Sequence, residues 1–443
     1  MEEAGCSSTG LARRVNACGS EHGLDLRYDK TSVARWLRGQ QPRGQAPAVI
    51  AEALQRKLGR TVTTDDIGMN PEASAAPTVG LRFEPTVVGA LDHLRALWRS
   101  DTKLRSPVAS ERVATSVLVQ ASRDWLIAEP DPSVEVEGVP VIGPRGVAAV
   151  RETTAAFSNL DHAFGSGYIR PAVVHYLDSV VSELLAGPYR EATGRLLLGA
   201  VARLAELTAY MTVDIGRLGF AQRYYIQALR LSQAANDRDF GGYVLASGMG
   251  HVALLIDNPA ETVQLARVAR EGIKRSPAPL LQVVFCATEA RGHARLGDKP
   301  ACERAISRAT TALEDADAGK HECPDWAAHI DRAYLAQEVA FCYLDLGCGE
   351  RAVRWAQEAL RRGAPERTRR HVLRLLLLAS AKLQLGEVRQ SCDTAARALE
   401  IVRGLRSAQC ESYFTQFRQR LEELGLHEEA RELGSDRQAV AQE

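Results

Sequence analysis

Lys30, Thr31, Ser32, Arg35 and Arg38, with Arg27 before them and Arg43 after, gather cationic and hydroxyl side chains into one short stretch. Arg and Lys neutralise phosphates, and together with Ser and Thr they can reach base edges in the major groove of DNA. These seven residues are the candidate contacts to double-stranded DNA. Between Arg27 and Arg60, eight basic residues stand against two acidic ones, a local balance of +6 in a chain whose 55 basic and 55 acidic residues cancel. Zero net charge excludes a chain that is basic throughout, and leaves room for a basic patch.

Short helices have to position these groups. Residues 29–39 read as one, with Asp29 as N-cap and Gly39 as its stop. Val33, Trp36 and Leu37 would face inward, and Lys30, Ser32, Arg35 and Arg38 outward. Residues 11–15 read as a helix upstream. Residues 48–58 read as a third, with Ile50, Ala53, Leu54 and Leu58 inward. Leu11-Ala12, then Val33, Arg35, Trp36 and Gly39, then Pro42, resemble the helix-turn-helix signature of the lambda-repressor-like, or XRE, family. There are departures. Leu37 stands where the family usually has Glu, the connection from Val15 to Thr31 is long, and the first helix of a five-helix domain is shortened. The resemblance implies that Arg35 and its neighbours read DNA.

Nothing points to catalysis. G-x-S-x-G, H-E-x-x-H, P-loop and G-x-G-x-x-G patterns are missing, so no catalytic residue, metal site or cofactor is expected. His321, Glu322 and Cys323 read as a surface loop, and Asp161 with His162 as a solvated pair on a helix. The nine cysteines include no C-x-x-C pair. Cys286, Cys302, Cys342 and Cys392 fall at packed helix positions, as reduced thiols in a cytosol would. The richest apolar stretch, residues 372–381, is interrupted by Arg374, and the N-terminus has no signal-peptide pattern. A cytoplasmic chain with no membrane span is therefore expected.

Beyond residue 190 the sequence repeats. Small residues 19 apart recur as Ala209/Ala228, Gly250/Ala269, Ala290/Ala309, Ala340/Ala359 and Ala379/Ala398, with successive pairs displaced by 41, 40, 50 and 39. Breaks fall between the members, at Leu218-Gly219, Asp257-Asn258-Pro259, Leu296-Gly297, Leu346-Gly347 and Leu385-Gly386, with a sixth at Leu424-Gly425. The spacing predicts stacked antiparallel helix pairs that approach closely at the small residues. A polar insertion over residues 315–324 accounts for the long period.

Val339, Ala340, Tyr343, Gly347, Ala352, Ala359 and Leu360 resemble the tetratricopeptide consensus. That resemblance, over residues 192–425, implies a groove lined by Arg203, Glu206, Tyr210 and Asp214, then Ser247 and His251, then Arg291 and Arg295, then Tyr334, Gln337 and Phe341. Arginines beside aromatics suit a peptide carboxylate or another anionic ligand. In the fifth unit Leu373, Leu376 and Leu383 make this face apolar, suited to a neighbouring helix or a dimer partner.

The expected fold is all-α, an N-terminal helix-turn-helix followed by a tetratricopeptide-like solenoid of antiparallel helix pairs. The expected divisions are a DNA-binding domain over residues 1–69, a linker over 70–85, a helical connecting region over 86–190, five to six helix pairs over 191–434, and a tail over 435–443. Val134, Val136 and Val139, set among prolines, suggest a short hairpin inside the connecting region. The layout, with the phrases LDLRYDKTSVARWLRGQQPRG and AQRYYIQALRLSQAA, resembles bacterial XRE regulators that carry a tetratricopeptide array, in particular the actinobacterial NsdA-type branch. The peptide-sensing RRNPP regulators share that layout. The resemblance implies a homodimeric transcription regulator, a repressor of development or secondary metabolism, with a peptide, small molecule or protein partner in its groove. The alternative is a repeat scaffold that binds a protein or peptide, with a vestigial DNA-binding domain.

Overall fold

In the computed structural model of the chain, every regular element among the described residues is helical, and the one β contact is an isolated bridge. The structure describes residues 5–438 apart from 22–23, 39, 41, 43–45, 60–61, 63, 65–66, 68, 70–78, 103–112, 140, 275–277, 320–323, 365–367 and 403. The chain forms two units, Met1–Pro77 and Thr78–Glu443.

In the first unit, α1 (Ser8–Glu21), α2 (Lys30–Trp36) and α3 (Ala46–Leu58) enclose a small core. Leu11, Val15, Cys18, Val33, Trp36, Ile50 and Leu54 fill it. Helix α1 runs well past Val15, which shortens the connection to α2. That connection is fixed at its end. The Asn16 amide donates to the Tyr28 carbonyl and accepts from the Tyr28 N–H, both at 2.9 Å. The Tyr28 ring meets Trp36 edge-on at 4.8 Å. Gly19 is required here, because a Cβ would lie 2.5 Å from Leu26 Cδ1.

The second unit opens on segments that sequence pattern assigned elsewhere. Residues 79–85, expected as linker, lie against a buried helix. The order continues through α4 (Val87–Asp101), α5 (Thr115–Ile127), α6 (Pro144–Phe164), α7 (Ser166–Tyr176), α8 (Ser182–Ala186), α9 (Glu191–Asp214) and α10 (Leu218–Ala234). Polar side chains on α10 satisfy the incoming backbone. Arg223 donates to the Val79 carbonyl and Gln227 to that of Gly80, each at 2.9 Å, and Gln222 exchanges two hydrogen bonds with Ala114. This is why α10 is buried all round although it carries two Arg and three Gln between Gln222 and Gln233. The expected hairpin is not formed. Val136 pairs instead with Tyr189, Val134 is buried, and Val139 stays exposed.

Among the described residues, helix α9 is the one helix long and apolar enough to cross a membrane, its most apolar 18-residue window having a mean hydropathy of 1.4, rather than residues 372–381. Within the fold 72% of that stretch is buried. Its charged residues are too few to lower the average as Arg374 and its neighbours do further on.

Helix pairs then follow: α11 (Arg238–Tyr243) and α12 (Gly250–Leu255), joined by a π-helical turn into one helix, with α13 (Pro259–Gly272); α14 (Pro279–Arg295) with α15 (Lys299–Ala318); α16 (Arg332–Asp345) with α17 (Gly349–Arg362); α18 (Thr368–Gln384) with α19 (Val388–Val402); α20 (Ala408–Glu423) with α21 (His427–Gln438). All ten small residues of the repeat are buried, where α9 meets α10, α12 meets α13, and each later first helix meets its second.

Each pair turns through the same device. Gly216, Gly297, Gly347, Gly386 and Gly425 have φ between +70° and +78°, and Asp257 has +58°. The N–H of the following residue returns to the carbonyl five positions earlier, as from Cys348 to Tyr343 at 2.8 Å and from Asp298 to His293 at 3.0 Å, which satisfies an orphan carbonyl at the helix end. Asn258 and Asp298 then cap the next helix. The first break is a correction. It falls at Gly216, and Gly219 lies inside α10.

The first helices of successive pairs touch one another, and α20 returns to α9, so these helices form a closed ring. The closure is ionic. Arg369 of α18 is wholly buried and pairs with Asp161 of α6 at 2.5 Å and Asp214 of α9 at 3.1 Å. Ser407, ahead of α20, donates to Asp214 at 2.5 Å. Asp161 is thus a core residue, not half of a solvated pair.

Candidate functional site

Helix α2 is set by its start. The Asp29 carboxylate accepts from the Ser32 N–H at 2.8 Å and Ser32 Oγ turns back to the Asp29 N–H, a capping box. Hydrogen bonds from Ser32 hold the Asp29 pKa below the ordinary carboxylate value. Val33 and Trp36 anchor the helix in the core, leaving Lys30, Thr31 and Arg35 exposed. Other expected contacts have local partners. Ser32 belongs to the cap, Arg27 pairs with Asp25 at 2.9 Å, and Arg38 Nε donates to the Ala34 carbonyl at 3.1 Å.

Two expectations change. The helix has seven residues and ends at Trp36, and Leu37 is 64% exposed rather than inward. Leu37 is the C-cap, still with helical angles and its N–H on the Val33 carbonyl at 3.0 Å, yet its side chain lies outside the core that Val33 and Trp36 enter. Arg43 and Gly39 lie outside the described residues. Elsewhere in the unit Arg56 is held by Glu21 and Glu52, each at 2.6 Å, and Glu21 is an acid that the +6 window does not weigh.

The expected groove residues of the second unit mostly share the inner surface of the helix ring. Arg203 pairs with Asp237 at 3.0 Å and stacks between Phe240 and Trp326 at 5.3 and 5.4 Å. Tyr243 meets Trp326 at 5.0 Å and His329 at 5.9 Å, and His329 meets Tyr334 at 6.0 Å. Arg291 lies over Phe341 at 4.3 Å and pairs with Glu338 at 2.9 Å. His251 approaches Gln409 at 3.5 Å, and Gln337 accepts from Arg374 at 3.0 Å. Tyr210 carries the Arg369 guanidinium at 4.7 Å.

Two assignments come out differently, and a third resolves between the two partners expected for it. Asp214 is buried within the ring closure. Arg295 lies at the exposed end of α14, paired with Asp257 at 2.9 Å. In the fifth unit Leu373, Leu376 and Leu383 pack with Phe414, Phe417 and Leu421 of α20, so a neighbouring helix covers that face. Pattern reading missed Trp326 and His329. Both follow the polar insertion that lengthens one period, Trp326 in the short turn of helix at Asp325–Ala327. Their one signal is a spacing of three residues after a helix-breaking Pro324.

Charge inside the ring is finely held. Glu206 has no hydrogen bond or ion pair among the described residues, and burial pushes its pKa up to about 7. Burial and the neighbouring Arg291 charge push His251 down to about 4. Arg, aromatic and neutral polar groups thus face one another with few free charges, an arrangement able to take a ligand bearing both apolar and anionic groups. Among the described residues no three of His, Cys, Asp and Glu come together as a metal would need. His321, Glu322 and Cys323 lie outside the described residues.

Residues 1–70 are similar to the family described as the SP15 N-terminal domain, a match confined to the first of the two units. No curated protein matches the chain.

Proposed function

We propose that this chain is a sequence-specific DNA-binding transcription regulator, a repressor of development or secondary metabolism acting in the cytoplasm. On this reading the first unit is an XRE-type helix-turn-helix, and the helix-pair array is a tetratricopeptide-like sensor whose occupant sets DNA affinity. The carrying observation is the outer face of α2. Lys30 and Arg35 project from a helix anchored by Val33 and Trp36, and neither pairs with a carboxylate among the described residues. A homodimer would present two such faces to two half-sites.

The test is a genome-wide DNA pull-down with the purified chain, with and without cell extract, and light scattering for the dimer. Enriched fragments should lose affinity by roughly 1–3 kcal/mol in Arg35→Ala if that residue reads a base. Unchanged footprints in Arg35→Ala and Arg38→Ala would end the contact assignment.

A second reading is a scaffold that binds a protein or peptide, with a vestigial first unit. The short α2 and the local ties of Arg27, Ser32 and Arg38 favour it. No DNA enrichment under either condition would select it.

A further inference from the structure

We propose that the cleft between α13 and α15, floored by α14, binds a small phosphorylated molecule with a hydroxyl-bearing body, of the sugar phosphate or nucleotide class. The cleft is broadly open to solvent and has a volume of about 660 Å³, the size of a small-molecule site. It belongs to the second unit alone, and does not depend on the DNA-binding reading.

The argument begins with a residue the repeat does not need. Glu289 directly precedes Ala290, the small residue of the third pair. The same register position holds Thr208, Met249, Val339 and Leu378 in the other units, all buried and uncharged. A carboxylate at a core position is costly unless paired. Here it is paired three times. Arg267 donates from Nε at 3.0 Å, Arg270 at 2.9 Å and Arg308 at 2.7 Å.

Each guanidinium has five N–H groups and gives Glu289 one of them. All three are between a third and a half exposed and line the cleft, while Glu289 itself is 4% exposed. The buried carboxylate therefore works as an orienting anchor, turning three arginines toward one volume with donors unspent. That is the arrangement a phosphate group with several oxygens requires.

The remaining lining sets the rest of the ligand. Ser307, Thr311 and Gln282 offer neutral hydrogen-bonding groups, and the lining holds no aromatic residue. Asp315, two turns beyond Arg308 on α15, stands roughly 10 Å along the helix axis. A carboxylate at that distance from the arginines is placed to accept from the hydroxyls of the ligand body, beyond the reach of the phosphate end. The phosphate end and the hydroxyl end are thereby assigned.

Calorimetry on the full chain tests this, with ADP, pyrophosphate, adenosine and sulfate as probes. ADP should bind more tightly than pyrophosphate, adenosine weakly, and sulfate should compete poorly. Arg270→Ala and Arg308→Ala should each weaken ADP by about tenfold or more, as loss of a charge-assisted bond does. Asp315→Asn should weaken ADP and leave pyrophosphate unchanged. Thr311→Trp fills the cleft from an exposed position without touching an ion pair, so it should abolish binding with the helical content retained. No heat from ADP or pyrophosphate at millimolar concentration, affinity unaltered in Thr311→Trp, or equal binding of sulfate would each overturn the proposal.

Discussion

Glu206 and His251 sit on the same inner surface and answer pH in opposite senses. Glu206 keeps its proton in the folded chain up to about 7, whereas the unfolded carboxyl releases it near 4.5. Folding therefore loses stability as pH rises through that window, by up to roughly 3 kcal/mol at its upper end. Glu206→Gln should be more stable than the parent at about pH 8 and nearly equal to it at about pH 4, as read by urea unfolding. His251 has a folded value of about 4 against 6.5 unfolded, so its contribution is present above 6.5 and lost as pH falls toward 4. His251→Gln should remove that acid-side loss. Equal pH dependence in parent and variants would show that neither group is desolvated as the fold implies. None of this was legible in sequence. The tetratricopeptide resemblance places both residues on the inner face, but burial that shifts a pKa depends on groups brought in from distant positions, as Arg291 and Glu338 are beside His251.

The helix pair is the element that pattern reading recovers best, and the reason is steric. Where two axes approach closely, only a small side chain fits, and the demand returns in every unit, so Ala290 and Ala309 or Ala340 and Ala359 mark it. Turn positions are recovered less well, because Leu-Gly occurs at eight places in the chain and only conformation tells them apart. Gly297, Gly347 and Gly386 do turn the chain, whereas Gly219 is helical and Gly216 turns in its place. These turns give a clean measurement. A Cβ on Gly347 would meet nothing within 4 Å, so Gly347→Ala carries only the cost of φ +70° for an L-residue. It should destabilise by about 1–2 kcal/mol in equilibrium unfolding. Asp257 fills the same turn position at +58° with an exposed side chain, and Asp257→Gly should stabilise, by up to about 1 kcal/mol. Opposite signs at equivalent positions would establish that the turn conformation, not side-chain contact, is what these sites select.

At the scale of the molecule, closure of the helix ring is the feature least visible in sequence, because Asp161 and Arg369 are 208 residues apart and each looks ordinary beside its neighbours. The charge balance of the first unit misleads for a related reason. Residues 1–69 hold ten basic and eight acidic side chains, so the +6 window is a choice of boundaries, and Glu21 and Glu52 on Arg56 show where part of it goes. In the closure the balance is local and strict: one arginine faces Asp161 and Asp214, with Ser166 and Ser407 completing their hydrogen bonds. Removing the cation leaves buried carboxylates without a partner, so Arg369→Met should cost about 3–5 kcal/mol. The loss should be regional. Amide exchange should rise in α6–α7 and in α18–α20 together, although these segments are far apart in sequence, while α13–α15 keeps its protection. Adding Asp161→Asn and Asp214→Asn should recover part of the stability, because the unpaired charges go with them. Exchange that rose only around α18 would mean that Arg369 stabilises its own helix and that the first and last pairs hold together by packing alone.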